Sequence, residues 1–237
     1  MRDWQPLLGV PLWVWLFVVP TILASFCLLQ PLRAQRLLSP IWRTLDRVYL
    51  LSGVVAAGFM VAILLIIVAQ MISRWAGTEF PGSTEYAGYA MASTSFFALA
   101  YTLTRGAHIR VSILLNISSF TRFWVDAFAM WVGAMTATFF ARYAIKTNFV
   151  SQLLNDRTQG QDLVPEWLLS VFAMIAIWPT QWAQIWAETG AGWVYTPVWL
   201  PQLPMSIGTA LLAIALWDML TRLLANGETS IHGEALE

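Results

Sequence analysis

Apolar and polar positions alternate along this chain in long blocks. Apolar runs occupy residues 7–30, 48–72, 86–104, 123–145 and 200–224. A helix rises 1.5 Å per residue, so about twenty apolar residues cross a bilayer core. Each of these runs predicts a membrane-spanning helix. A sixth run, Trp167–Trp178, holds only twelve residues, a length that suits an interfacial or re-entrant piece. Polar clusters punctuate the runs at 33–47, 74–85, 105–110, 147–162 and 188–196, and a polar tail follows residue 224.

The stretch Arg74 to Arg110 is the most sharply bounded. A Pro81-Gly82 turn precedes Ser83-Thr84-Glu85, then an uncharged run reaches Arg105-Gly106. Ser83 or Thr84 is expected to cap the helix start, with the Glu85 anion in the first turn. Arg105 and Gly106 suit its end. Thr84, Gly88, Ala92, Ser95, Ala98 and Thr102 recur at steps of three and four and share one face. In lipid, small and hydroxylated residues permit close backbone approach and interhelical hydrogen bonds. That face therefore predicts docking, either within the chain's own bundle or against a partner helix.

Charge sets the orientation. Arg33, Arg36, Arg43 and Arg47 follow the first run with Asp46 the sole acid among them, and Arg105, His108, Arg110 and Arg122 follow the third. Basic residues mark cytoplasmic loops, so both connections are expected inside. On this topology eight Lys/Arg fall inside and five outside. Arg74 is expected either to snorkel to headgroups or to pair with Glu79 or Glu85. Run 7–30 lacks the basic start and small-residue cleavage site of a signal peptide, and is expected to be a retained span. Arg122 with Asp126, and Asp218 with Arg222, are spaced for ion pairs along one helix face. Residues 109–115 suit a short amphipathic surface piece. The path of 163–187 stays open: a crossing would leave the C-terminal tail outside, whereas an interfacial segment, the favoured path, leaves it inside. Val164-Pro-Glu-Trp-Leu is also echoed by Thr196-Pro-Val-Trp-Leu.

Composition narrows the class. The sequence is 58% hydrophobic and 11% charged with 14 Trp, against about a quarter charged in soluble domains, so this is expected to be an all-α integral membrane protein. Zero net charge gives no general attraction to nucleic acid. One cysteine, Cys27, excludes an internal disulfide or a dithiol pair. His108 and His232 offer no in-membrane pair for a haem. No catalytic, cofactor or metal site is expected.

Three stretches carry a family resemblance: Gln70-Met-Ile-Ser-Arg74-Trp; the Pro81-Gly turn before Glu85 with Tyr86-Ala-Gly-Tyr; and Arg105-Gly-Ala-His108-Ile-Arg110-Val. Thr196-Pro-Val-Trp199-Leu-Pro-Gln-Leu-Pro-Met-Ser-Ile-Gly208 adds a fourth. Together these resemble the small membrane subunit, the Q component, of tripartite ATP-independent periplasmic (TRAP) transporters. The resemblance implies a non-catalytic subunit in the bacterial inner membrane that braces a large permease subunit. It further implies a periplasmic solute-binding protein, sodium as driving ion and a carboxylate-type solute. It implies a four-helix membrane core at 48–72, 84–104, 123–145 and 200–224. To this core the chain would add an N-terminal span with its Arg-rich loop in residues 1–43, a Trp-rich insert at 163–190 within a helical domain of residues 44–224, and the tail 225–237. Gly88, Ala92, Ser95, Ala98 and Thr102 would dock the large subunit. Arg74, Glu85, Arg105, His108, Arg110 and Trp199 would shape the boundaries, in contact with partners and membrane lipids. The alternative is a membrane anchor or quinone-site subunit of a respiratory redox complex, its pocket lined by Trp and Tyr.

Overall fold

The structure is a computed structural model and describes residues 4, 6–105, 119–175 and 177–227. Seven helices carry the described fold: α1 (Val19–Leu29), α2 (Pro31–Trp75), α3 (Ser83–Thr104), α4 (Ser119–Leu153), α5 (Glu166–Ile175), α6 (Trp182–Glu188) and α7 (Trp199–Asn226). Two small antiparallel ribbons join them, β1 (Pro6–Leu7) with β2 (Val10–Pro11), and β3 (Leu163–Pro165) with β4 (Trp193–Tyr195). The molecule is an all-α membrane protein. α2, α7 and residues 123–153 of α4 are each long and apolar enough to cross a bilayer. At 22 residues, α3 reaches about 33 Å, enough to cross. Its hydropathy is diluted by hydroxyls that bond within their own helix, as Ser93 donates to the Tyr89 carbonyl and Thr94 to that of Ala90. Such internal satisfaction is what a hydrocarbon environment demands of polar groups.

Three sequence expectations change. Residues 33–47 are not a loop but the opening turns of α2, which runs unbroken for 45 residues. Pro31 stands in its first turn, where a missing N–H costs nothing. Pro40, inside the helix, leaves the Arg36 carbonyl without its usual donor, and the Ser39 hydroxyl reaches that carbonyl at 3.4 Å. Run 7–30 is not one span: the β1–β2 ribbon takes its start, and the apolar helix occupies Val14–Leu29. Those residues extend about 24 Å, short of a full crossing. Finally, residues 147–153 close α4 rather than opening a loop.

α7 is the central helix. α4 and α2 run antiparallel to it and α3 runs parallel, while α1 lies against its C-terminal half. Small residues make the contacts: Ala137 and Ala141 of α4 meet Ala213, and Ala100 of α3 meets Ala215 beside Tyr49 of α2. Gly208 lies against the Phe96 backbone so closely that no side chain fits there. The Ser52 hydroxyl of α2 donates to the Phe97 carbonyl of α3. Close approach and interhelical hydrogen bonds replace the hydrophobic drive that lipid removes.

The β3–β4 pairing settles the path of the arm between α4 and α7. Its strands are antiparallel, with Val164 opposite Val194, so the chain leaves and returns at one end of the bundle. The arm carrying α5 and α6 therefore does not cross, and the C-terminus of α7 lies at the same end as the arginine-bearing turns of α2. The sequence echo is a repeated junction: Val164 and Thr196 are both buried, and each is followed by a proline and then a helix.

Candidate docking surface

The end of the bundle that carries the arm is built around the start of α3. Gly82, at φ 75°, occupies the position before the helix. A Cβ there would lie 2.8 Å from the Gln161 carbonyl oxygen, so close approach and backbone conformation both require glycine. The expected caps are absent: no side chain caps this helix start, and Ser83 is buried within its first turn. Glu85 accepts a hydrogen bond from the Gln161 amide at 3.2 Å, so the carboxylate turns to the 160–162 loop instead of to Arg74. Arg74 is exposed.

Asp162 holds that loop in place. It closes the polar cluster 147–162, yet it is 0% exposed. Its carboxylate accepts the Tyr89 hydroxyl at 2.7 Å and the Thr158 hydroxyl at 2.9 and 3.0 Å. Its own carbonyl accepts the Thr196 amide and hydroxyl, while the Tyr86 hydroxyl donates to the next carbonyl, Leu163. Burial works to raise the Asp162 carboxyl, but the hydrogen bonds from Tyr89, Thr158 and Thr196 outweigh it and hold the group below its ordinary value. Three segments, α3, the 158–163 loop and the Thr196 junction, are thus joined through the Asp162 carboxylate and the Asp162 and Leu163 carbonyls. Tyr89 and Thr196 stand 73 and 34 residues from Asp162, too far for local spacing to reveal them.

The opposite end is tied by charge. Asp218, 5% exposed, accepts the Tyr49 hydroxyl at 3.2 Å and pairs with Arg222 at 2.9 Å, as the spacing along one helix face predicted. Arg222 also reaches Asp46 of α2 at 2.7 Å and donates to the Trp42 carbonyl at 3.0 Å. These links fix α2 across the last turns of α7. Arg105 is exposed, its guanidinium 5.5 Å from the Tyr101 ring centre. His108 and Arg110, the amphipathic piece 109–115 and most of the tail fall outside the described residues.

The small-residue face of α3 is not consumed by the chain's own packing at its first half. Thr84, Gly88, Ala92 and Ser95 are exposed, while Ala98 and Thr102 are half-buried. Nothing lies within 4 Å of where a Gly88 side chain would stand. A second set, Ser83, Ala90, Ser93 and Ala100, is buried against the bundle instead. Trp199 is half-buried, its carbonyl accepting the Asn148 amide at 2.7 Å and its ring edge-on to Phe172 of α5. Among the described residues no group of three or more His, Cys, Asp and Glu is gathered to hold a metal.

This geometry defines a multi-helix membrane protein whose buried polar groups tie its own helices together. Residues 63–178 match the family model described as "Tripartite ATP-independent periplasmic transporters, DctQ component". Over that stretch, about half of the chain, the protein belongs to the DctQ family, the small permease component of TRAP transporters. The match runs from the second half of α2 to just past α5, and so includes the first part of the segment expected to be an insert. No curated protein and no solved structure matches the chain.

Proposed function

We propose that this protein is the non-catalytic small subunit of a bacterial inner-membrane TRAP transporter and braces a large permease subunit through the open face of α3. The observation that carries this reading is the unfilled surface at Gly88, flanked by exposed Thr84, Ala92 and Ser95. A small-residue face admits another helix to backbone distance, and this chain leaves that half of the face unused. The charges at the end of α7 support a bracing role: Asp218 and Arg222 sit in its last turns and are occupied with each other and with Asp46. Intramembrane ionisable residues otherwise mark transport pathways. The solute path then belongs to the partner. Sodium as driving ion, a carboxylate-type solute and delivery by a periplasmic binding protein are proposed with it, on the family's account.

The test is recovery of the complex. Gly88→Leu and Ala92→Leu, each made in the full chain co-expressed with its large subunit, are expected to reduce co-purification several-fold while leaving the small subunit itself folded. Undiminished recovery with both substitutions would remove the α3 face from the docking surface. The quinone-site alternative has no support from the family match.

A further inference from the structure

α1 and the first third of α2 form a helical hairpin that turns at Gln30-Pro31 and clasps the C-terminal end of α7. Cys27 and Ala34, both 0% exposed, pack on Ala225, and the Gln35 amide donates to the Ala225 carbonyl at 2.9 Å. α2 crosses that end obliquely. It meets Ala225 through Ala34 and Arg222 through Asp46. The contacts are twelve residues apart on α2 and three apart on α7, about 18 Å of one helix against 4.5 Å of the other. The opening turns of α2 thus cross the last turns of α7, a helix long and apolar enough to span a bilayer, at an oblique angle.

That segment has three surfaces. Ala34, Leu38 and Trp42 face the bundle. Arg33, Arg36, Arg43 and Arg47 are all exposed, and at 100° per residue they fall within about 80° of the helix circumference. Leu32, Leu37 and Ile41, exposed by 78%, 64% and 51%, flank the arginines. Within the segment the charge is one-sided: no acid occurs from residue 4 to residue 45, and Asp46 is engaged by Arg222. Arg33 bonds locally to the Gln30 side chain. Clustered arginines beside exposed aliphatic side chains match a surface of anionic headgroups above acyl chains.

We propose that the Arg33–Arg36–Arg43–Arg47 strip binds the headgroups of anionic phospholipid in the leaflet it faces, with Leu37 and Ile41, which share one flank of the strip, entering the acyl layer beside them. The hairpin then anchors this end of the bundle to one leaflet without crossing. The inference is independent of docking through α3. The full-length chain, purified in detergent, is presented with phosphatidylglycerol and with phosphatidylcholine, and retained lipid is counted by native mass spectrometry. Wild type is expected to prefer phosphatidylglycerol by at least about tenfold, a preference that falls as salt rises. The variant with all four arginines changed to Gln should lose it while keeping its helical content. Equal retention of both lipids by wild type, a preference unmoved by salt, or a preference surviving in the Gln variant would each overturn the proposal. Equal occupancy by glycerol phosphate in the absence of lipid would do so too, by assigning the strip to a small anion.

Discussion

The two ends of the bundle each bury one aspartate, and they hold it in different ways. Asp162 accepts hydroxyl donors from Tyr89 of α3 and from Thr158 and Thr196, and the Thr196 amide, on either side of the arm. Asp218 faces a guanidinium that a second carboxylate, Asp46, also engages. The first arrangement organises a loop-rich end with directional bonds between neutral partners and a single anion. The second clamps two long helices at an angle through a buried Asp218–Arg222 pair and the exposed Asp46. Hydrogen bonds of the first kind contribute about 1 kcal/mol each. Removal of one member of a buried pair strands the other, and costs more than the pair contributes when intact. The ends should therefore differ in how they fail.

The largest expected effect is at Asp218. Asp218→Ala leaves the Arg222 guanidinium, 14% exposed, with the outward-facing Asp46 as its one carboxylate and the Trp42 carbonyl, and frees the Tyr49 hydroxyl in a buried site. A loss of about 3 kcal/mol is expected, read as a lower midpoint of unfolding in mixed micelles. Retention of the wild-type midpoint would mean that Arg222 re-solvates without cost and that the two ends are equivalent. Asp162→Ala is expected to cost less, about 2 kcal/mol. It should act locally, exposing the 155–165 loop to protease while α2 and α7 stay paired.

Acidity separates the ends further. The Asp162 carboxyl is held below its ordinary value by its hydrogen-bond donors, so the anion stabilises the fold. That contribution is complete above the unfolded aspartate value of about 3.9 and is lost only as pH falls through the lower native value. Protease sensitivity of the 155–165 loop should stay flat from neutral pH to about pH 4, then rise. A rise already complete between pH 7 and 5 would assign the loop's hold to another group.

The spans were legible because lipid imposes one rule along the whole chain: long apolar runs between charged ends. The Asp218–Arg222 pair was legible for a similar reason, since helix geometry fixes which residues share a face. Asp162 was not. Its partners Tyr89 and Thr196 are 73 and 34 residues away, and nothing local distinguishes it from an exposed loop acid. The arginines at 33–47 suggested a loop because charge usually ends a span, yet Leu, Arg, Ala and Gln are all good helix formers, and the two prolines sit where α2 tolerates them. On α3 the small residues form two stripes. Periodicity found one of them, but only packing shows that the other faces the bundle and that the first half of the predicted stripe stays open.

Asp46 gives the smallest and most discriminating effect. Its side chain is 53% exposed, so its attraction to Arg222 is screened by solvent and salt. Asp46→Asn is expected to cost under about 1 kcal/mol at low salt and nothing measurable at high salt. The Asp218→Ala deficit should persist at high salt, because ions do not reach a buried site as readily. In the double variant the Asp46→Asn effect should change: with Asp218 gone, Asp46 becomes the only carboxylate on Arg222 and its removal should cost more than in wild type. A strictly additive double variant would show that Arg222 treats its two carboxylates independently. The clamp at Arg222 would then be two separate contacts rather than one charge network.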